Sequence, residues 1–289
     1  MIDADHLEPG VLYRRDPFVE PVPLVVDSPH NGTHWPTDFD HRVTLDELMT
    51  SVDAYVDELF SHTPAVGGTL LAALFPRAYI DPNRAEDDLD AALIEGAWPY
   101  PLNPGEKTEY GMGVVRRYIL KGRPLYDRRL TPDEVLHRLD TYHRPYHAAL
   151  AGALDHAHER FGSVFHLNAH SMKPVGNAMN VDDGAARPDV VLSDREGETT
   201  DPAFIDTLAS LFCGLGYAVA INHPYKGAEL VARHSDPAAG RHSVQIELNR
   251  ALYLDSESFE RSSGFAALKA DLDTVLDRAA AFTRSYSAA

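Results

Sequence analysis

Three side chains suited to hydrolytic chemistry stand at the ends of short apolar runs. His30 follows "LVVDSP", His170 closes "VFHLNAH", and Glu247 stands in "SVQIELN", where apolar and polar residues alternate. Ligands of open α/β sheets bind outside the carboxyl ends of the strands, so we expect the two histidines to converge on one point. Two neutral imidazoles plus one carboxylate, with a position left for water, form a catalytic zinc site of the peptidase kind.

The carboxylate ligand has two candidates, Asp53 and Asp57, in the segment that follows the first histidine. Apolar residues recur over residues 44–60 with the i, i+3, i+4, i+7 spacing of one amphipathic helix. Either acid could reach back from this helix to the strand end, and the spacing alone does not choose between them. In such sites the metal lowers the pKa of its water towards ~7, while a separate glutamate takes and returns the proton.

Short apolar runs bounded by turn residues alternate with helical patterns along the whole chain. This alternation predicts an α/β sandwich with a central mixed sheet, and nothing in residues 1–289 suggests more than one domain. Within "VFHLNAHS" we expect a buried strand over Val164 to Leu167, followed by a turn through Asn168 and Ala169. The predicted strands are "PLVVDSPH", "TLLAALFPRAYIDPNR", "VFHLNAHS", "DVVLSD", "YAVAINHP" and "SVQIELN".

Two further helices have clear start signals. "TPDE" from Thr131 is a capping-box pattern with proline at the first helical position, and it predicts a helix towards Leu154 with a kink at Pro145. "DPAFIDTLASLFCGLG" begins with aspartate and proline and ends in glycines suited to a C-cap. Residues 87–121, rich in proline, glycine and aromatics, predict an irregular excursion over the sheet that could serve as a lid or substrate loop.

Composition excludes several functional classes. Cys213 is the only cysteine, so an intrachain disulfide and cysteine-held zinc are excluded, and any metal must be bound by histidines and carboxylates. A formal charge of −18 disfavours nucleic acid as a partner. The acidic start "MIDADHLEPG" has no basic or apolar targeting region, and no long apolar stretch is present, so we expect a cytoplasmic protein without membrane contact. The sequence indicates no oligomeric state.

Eight pieces of the sequence, in the same order, resemble the N-formylglutamate amidohydrolase family, and together they cover most of the chain. The resemblance implies a three-layer sandwich of phosphorylase/hydrolase-like type, similar to zinc carboxypeptidases and aspartoacylases. It also implies cleavage of N-formyl-L-glutamate to formate and L-glutamate, a step of histidine degradation. The pieces are "VVDSPHNGTHWP", "VDAYVDELF", "LFPRAYIDPNR", "GVVRR", "PLYDRRLTPDEVLHRLDTYHRPYHAAL", "HLNAHSM", "NHPYKGAEL" and "HSVQIELNRALYLD".

The resemblance also implies roles for single residues. It makes His30, Asp53 and His170 the ligands of one Zn²⁺ ion, with other transition metals as alternatives, and it makes Glu247 the general base and acid. It favours Asp53 over Asp57, because family members place an aspartate at the start of the "D..V..L" pattern. Relatives often have Trp-His after that aspartate, where this chain has Ala54 and Tyr55. Residues 87–118 match loosely as well, so another N-acyl amino acid or short acidic amide is the alternative substrate.

An acidic N-acyl amino acid carries carboxylates, which guanidinium groups bind with two parallel hydrogen bonds. Asn83 and Arg84 are the first choice, because they follow a predicted strand end near the metal ligands. Arg77 is a candidate for stabilising the oxyanion that forms when water attacks the formyl carbon. Further candidate substrate-binding residues lie beside the family motifs: Arg116, Arg117, Lys226, Arg233 and Arg250.

Two rival functions differ in mechanism. A serine amidase could use Ser28 or Ser171 with a histidine, but the sequence contains no G-x-S-x-G motif. A binding protein that retains the fold without catalysis would have no need of the proton-transfer residue Glu247. Sensitivity to a chelator separates the metal hydrolase from the serine amidase, and turnover separates both from the binding protein.

Overall fold

A mixed sheet of eight strands organises residues 4–286, the part of the chain that this computed structural model describes. The strand order is β1-β2-β4-β3-β7-β10-β8-β9. The four central strands, β4, β3, β7 and β10, are parallel, and β2 and β8 flank them in antiparallel pairing. At the two edges, β1 is antiparallel to β2 and β9 is parallel to β8. A separate hairpin pairs β5 with β6. The strands are β1 His6–Glu8, β2 Leu12–Arg15, β3 Leu24–Ser28, β4 Thr69–Ala73, β5 Tyr118–Leu120, β6 Arg123–Pro124, β7 Val164–Met172, β8 Val190–Ser193, β9 Val219–Ile221 and β10 Arg241–Asn249.

Helices cover both faces of the sheet, which confirms the predicted three-layer α/β sandwich. Helix α5 packs on one face, and α2, α6 and α8 pack on the other. No helix in the described residues is long and apolar enough to span a lipid bilayer. The helices are α1 Leu45–Met49, α2 Val56–Leu59, α3 Glu106–Glu109, α4 Pro132–Arg138, α5 Arg144–Phe161, α6 Pro202–Gly214, α7 Glu229–His234 and α8 Phe265–Ser285.

Strand β7 corrects the predicted turn through Asn168 and Ala169. The strand continues to Met172, all nine of its residues are buried, and His170 lies within it. Neighbouring parallel strands pair with it on both sides, β3 over its first half and β10 over its whole length. These neighbours supply hydrogen-bond partners for polar residues that, in isolation, resemble the start of a turn.

Residues 44–60 form two short helices instead of the single predicted helix. Helix α1 ends at Met49 and α2 begins at Val56. Between them the backbone N–H of Asp53 donates to the carbonyl of His30 (2.9 Å), and Tyr55 has a positive φ of 62°. This long-range backbone contact interrupts the helix and places Asp53 beside the loop that carries His30.

The capping box at Thr131 and Glu134 is confirmed, but the kink expected at Pro145 takes another form. A π-helical turn over Leu139–His143 joins α4 to α5, and proline occupies the first turn of α5, where its missing N–H is tolerated. Asp201 caps α6 as predicted. Helix α8 and the N-terminal strands β1 and β2 were not predicted from the sequence. Residues 87–121 are largely irregular, as expected.

Candidate active site

His30, Asp53 and His170 form a buried cluster at the carboxyl ends of the parallel strands. Their ligand atoms all lie within 4.8 Å of one another. The rings of His30 and His170 are 4.5 Å apart, and Asp53 Oδ2 is 3.4 Å from His30 Nδ1 and 3.2 Å from His170 Nδ1. Three separate elements therefore bring together two imidazole nitrogens and one carboxylate oxygen: the loop after β3, the break between α1 and α2, and β7.

Neighbouring side chains orient both imidazoles so that their Nδ1 atoms face the cluster. Asp81 Oδ1 lies 2.7 Å from His30 Nε2, and Asn168 Oδ1 lies 2.7 Å from His170 Nε2. His30 Nδ1 is buried and has no hydrogen-bond partner in the described residues. A histidine that binds a metal through one ring nitrogen usually donates a hydrogen bond from the other nitrogen to a fixed acceptor. His30 fits this pattern, because its Nδ1 has no hydrogen-bond partner in the described residues and its Nε2 contacts Asp81. The donor set, two nitrogens and one oxygen, suits a divalent transition metal.

Asp53, and not Asp57, is the acid that reaches the histidines. Burial alone would raise the pKa of Asp53, but the two imidazoles and Arg250, whose Nη2 lies 2.7 Å from Asp53 Oδ1, hold that pKa well below its usual range. Asp57 accepts a hydrogen bond from the hydroxyl of Tyr13 (2.8 Å), and burial raises its pKa. The carboxylate in the cluster is therefore ionised, as a metal ligand must be.

Glu247 points into the same cavity from strand β10. The parallel register pairs Glu247 with His170, so both side chains leave the sheet on the same face. Burial and the nearby charge of Asp53 raise the pKa of Glu247, while a hydrogen bond from Gln245 Nε2 (2.9 Å) opposes that rise. The cavity that contains Glu247 and the three clustered residues has a volume of about 440 Å³. A carboxyl with a raised pKa beside candidate metal ligands is suited to take up and release a proton during hydrolysis.

The predicted substrate-binding residues divide into those that line this cavity and those that do not. Arg77, Asn83, Arg84, Arg116 and Lys226 line it. Arg117 and Arg233 lie outside it, so the structure does not bring these two residues to the site. Both residues form ion pairs with other acids: Arg117 pairs with Asp90 (3.0 Å), and Arg233 pairs with Glu229 (2.6 Å).

Asn83 and Arg84 reach the site from a turn well beyond the end of β4, not from the strand end itself. Two histidines on the other side of this turn hold its backbone. His147 Nε2 lies 2.8 Å from the carbonyl oxygen of Pro82, and His143 Nε2 lies 2.8 Å from that of Arg84. Asn83 Nδ2 lies 3.2 Å from His170 Nε2, and the Asn83 amide oxygen accepts a hydrogen bond from the Leu230 N–H (2.9 Å).

Several cations of the cavity have an acidic partner. Arg77 donates to Asp81 (2.7 Å), Arg250 to Asp53 (2.7 Å) and Arg187 to Asp182 (2.6 Å). Lys226 is exposed and pairs with Glu196 (2.6 Å).

Arg116 and Lys173 have no close acidic partner, and neither do Arg84, which lies 4.0 Å from Asp88, and Lys107, which forms no ion pair in the described residues. The nearest acid to Arg116 is Asp81 at 4.0 Å, and its Nε is buried without a hydrogen-bond partner in the described residues. Burial and Arg77 lower the pKa of Arg116 to about 9. Among residues 4–286 no carboxylate forms an ion pair with Lys173, whose pKa is lowered to about 8 by burial and by neighbouring arginines. These cations give the cavity an excess of positive charge, which would attract an anionic ligand.

Lys173 was not predicted from the sequence, and neither was Arg187. The only signal for Lys173 is its place three residues after His170, at the end of β7. Arg187 lies in a loop far from every motif that suggested chemistry. Both residues line the cavity only because loops after β7 fold back over the ends of the strands.

Comparisons with known proteins point to one family. A family model described as N-formylglutamate amidohydrolase matches residues 22–254. An N-formylglutamate deformylase from Pseudomonas putida is 28% identical over 238 residues, which are 81% of this chain and 82% of that protein. The crystal structure of an N-formylglutamate amidohydrolase from Ralstonia eutropha JMP134 is 46% identical, with a TM-score of 0.91, and the match covers 95% of this chain and 99% of that one. A structure from Agrobacterium tumefaciens, 16% identical with a TM-score of 0.66 over 95% of this chain and 96% of that one, shares the fold.

Proposed function

The chain belongs to the N-formylglutamate amidohydrolase family, and we propose that it hydrolyses the amide bond of N-formyl-L-glutamate to give formate and L-glutamate. One observation carries the proposal. The cluster of His30, Asp53 and His170 shares a cavity with a buried carboxyl, Glu247, and with cations that have no close acidic partner. This combination suits a small substrate with one amide to cleave and two carboxylates to bind.

His30, Asp53 and His170 would hold one divalent metal ion, and Zn²⁺ is the ion that best matches their donor atoms. When bound there, the ion would lower the pKa of its water and polarise the formyl oxygen. Glu247 would take a proton from the attacking water and later deliver it to the leaving amine nitrogen. The raised pKa of Glu247 supports this role, because the carboxyl must both accept and release a proton.

Arg77 would stabilise the oxyanion that develops on the formyl group. Its guanidinium donates to Asp81 through Nε (3.1 Å) and Nη2 (2.7 Å), and the same carboxylate holds His30. This pair holds the guanidinium of Arg77, which lines the cavity, in a fixed position. A preorganised donor is worth more than a mobile one, because it needs no rearrangement as charge develops.

The two carboxylates of the substrate would be bound by separate groups. Asn83 and Arg84 lie beside the metal cluster and suit the α-carboxylate, since Arg84 is anchored by hydrogen bonds to the carbonyls of Asn83 and Met112 (3.0 and 3.1 Å). Arg116 and Lys173 would bind the side-chain carboxylate. Their charges have no close acidic partner in residues 4–286, so substrate binding would neutralise them.

Hydrolysis of another N-acyl amino acid is the second candidate, because Arg116 comes from the 87–118 region that matches the family only loosely. The serine amidase is disfavoured by geometry. Ser28 Oγ is buried without a hydrogen-bond partner in the described chain, and Ser171 Oγ accepts a hydrogen bond from Arg250 (3.1 Å). Neither serine hydroxyl therefore has a histidine as a hydrogen-bond partner that could act as its base. A cytoplasmic location and a place in histidine degradation stay predictions.

The test is formate release from N-formyl-L-glutamate by Zn²⁺-loaded protein, compared with the same preparation treated with a chelator. Chelator-sensitive release, restored by Zn²⁺, is the expected result. Release that persists after complete metal removal would exclude the metal mechanism. A folded, metal-loaded protein that releases formate only from other N-formyl amino acids, for example N-formyl-L-methionine, would reject glutamate as the substrate.

A further inference from the structure

Asp27 is a carboxylate at the centre of the sheet for which the proposed reaction has no use. It lies on β3, is completely buried, and accepts three hydrogen bonds. The donors are His166 Nε2 (2.8 Å), Asn168 Nδ2 (2.7 Å) and the hydroxyl of Tyr146 (2.7 Å). Burial alone would raise the pKa of Asp27, but these three donors lower it, so the group is an ionised acceptor in the core.

Asp27 determines which way the amide of Asn168 faces. An ionised carboxylate can only accept hydrogen bonds, so the amide nitrogen of Asn168 must point towards it. The amide oxygen must then point the other way, where it lies 2.7 Å from His170 Nε2. That ring nitrogen therefore carries a proton, so a metal ion would be bound through His170 Nδ1, which faces Asp53 Oδ2 at 3.2 Å.

The orientation of Asn168 matters because a second amide, that of Asn83, also contacts His170 Nε2. Asn83 Nδ2 lies 3.2 Å from the same His170 Nε2, and the Leu230 N–H fixes its orientation. Asn83 therefore favours the opposite tautomer, with the proton on Nδ1, which could not bind a metal through that nitrogen. If Asn168 were free to flip, two amide nitrogens would face Nε2 and the wrong tautomer would be favoured.

We propose that Asp27 is a positioning residue which, by orienting Asn168, keeps His170 in its metal-binding tautomer. This inference rests on the proposed metal site, but it concerns a residue two hydrogen bonds away from the ligand. Residues that orient a metal ligand through hydrogen bonds typically raise metal affinity by about tenfold to a hundredfold. Asp27→Asn removes the charge at constant volume and frees the Asn168 amide to rotate.

Two measurements test the proposal. Competition with a chromogenic chelator gives the dissociation constant for Zn²⁺, and we expect Asp27→Asn to raise it by about tenfold or more. Nitrogen-15 NMR of the metal-free protein reports directly whether His170 Nε2 carries a proton, and we expect that proton in the wild type and its loss in Asp27→Asn. The NMR result decides the proposal even if the wild-type protein binds no Zn²⁺, so a failure of the metal site is distinguishable from a failure of this inference.

Tyr146→Phe is the matched control. It removes a hydrogen bond of equal length from the same carboxylate but leaves the contact with Asn168 intact. We expect its Zn²⁺ dissociation constant to stay within about threefold of wild type. An equal loss of affinity in both variants would show that the network acts only through stability, and this result would overturn the proposal.

A swap of the two side chains provides a rescue. In the double variant Asp27→Asn with Asn168→Asp, the new carboxylate at 168 accepts from His170 Nε2 and from the amide at position 27. His166 can reverse its tautomer towards Ser243 Oγ, 3.1 Å from its Nδ1, and so satisfy the amide. We expect Zn²⁺ affinity to return to within about threefold of wild type. If Asp27→Asn does not fold, Asn168→Ala removes the same link, and unchanged tautomer and Zn²⁺ affinity in that variant would overturn the proposal.

Discussion

The two faces of the central strands differ sharply, although the residues that form them alternate along the same chain. On β10, Val244, Ile246 and Leu248 pack into the core with α8, whereas Gln245 and Glu247 face the active-site side. On β7 the same rule separates Phe165, Leu167 and Ala169 from His166, Asn168 and His170. Both faces are buried, but only one of them is apolar.

This difference shows how one sheet can combine stability with chemistry. The apolar face gains free energy from removing hydrocarbon surface from water. The polar face must satisfy each buried donor and acceptor, because an unsatisfied group costs about 1–3 kcal/mol. Its hydrogen bonds run from Asp27 and Asp81 to the two histidines and fix their orientation. Substitutions on the apolar face should therefore lower the free energy of unfolding, and substitutions on the polar face should lower catalytic activity.

Glu247→Gln on the polar face should have the largest effect. It keeps the size of the side chain and removes the group that transfers the proton, so we expect kcat to fall by about 10²- to 10⁴-fold. Zn²⁺ content and the thermal midpoint should change little, since Glu247 is not among the clustered ligands. Steady-state formate release and metal analysis measure both quantities. A rate near that of wild type would remove Glu247 from the mechanism.

Ile246→Ala, one residue earlier and on the opposite face, should show the reverse pattern. Ile246 is completely buried in the apolar cluster, so truncation leaves a cavity that costs about 2–5 kcal/mol of unfolding free energy. Zn²⁺ affinity and kcat of the folded protein should stay within about threefold of wild type. Urea unfolding checks the first quantity and kinetics at low temperature the second. A large loss of kcat in fully folded protein would show that the two faces are coupled.

The sequence predicted the polar face of β10 but only part of that of β7. In "SVQIELN" the alternation is regular, and it indicated correctly that Glu247 lies opposite the apolar residues. In "VFHLNAHSM" the prediction placed a turn at Asn168 and Ala169, because Asp27, the hydrogen-bond partner of His166 and Asn168, lies over a hundred residues away in the chain. A local pattern cannot show partners that only tertiary pairing provides.

Asp53 and Lys173 illustrate the same limit in the site itself. Periodicity placed Asp53 inside a helix, whereas the structure interrupts that helix with a backbone bond from Asp53 to His30. The family resemblance nevertheless named Asp53 correctly as the acid near the histidines. Lys173 belongs to no motif, and its importance comes from the lack of an acidic neighbour. Charge compensation depends on distances between loops, which the order of residues does not reveal.

Lys173→Met tests whether the polar face recognises the substrate as well as cleaving it. Loss of a charged partner to a carboxylate should cost about 1.5–3 kcal/mol, so kcat/KM for N-formyl-L-glutamate should fall by roughly 10- to 100-fold. For the neutral isostere N-formyl-L-glutamine it should change by less than about threefold. Lys107→Met is the control, because Lys107 lines the same cavity but has Glu106 and Asp182 nearby. If only Lys107→Met lost the preference for N-formyl-L-glutamate over N-formyl-L-glutamine, Lys107 and not Lys173 would be the residue that binds the side-chain carboxylate.

The smallest expected effect is a pH dependence of KM that arises from the same lysine. Burial and the charges of Arg250, Arg116 and Arg187 lower the pKa of Lys173 to about 8. Its ammonium is charged below that pH and becomes neutral above it, so KM for N-formyl-L-glutamate should rise several-fold between about pH 7.5 and 9. Lys173→Arg keeps a charged group over most of this range, because a guanidinium is more basic than an ammonium in the same surroundings. A KM that rises equally in wild type and Lys173→Arg would attribute the dependence to another group, since the ammonium of Lys173 is the only titrating group that this substitution replaces.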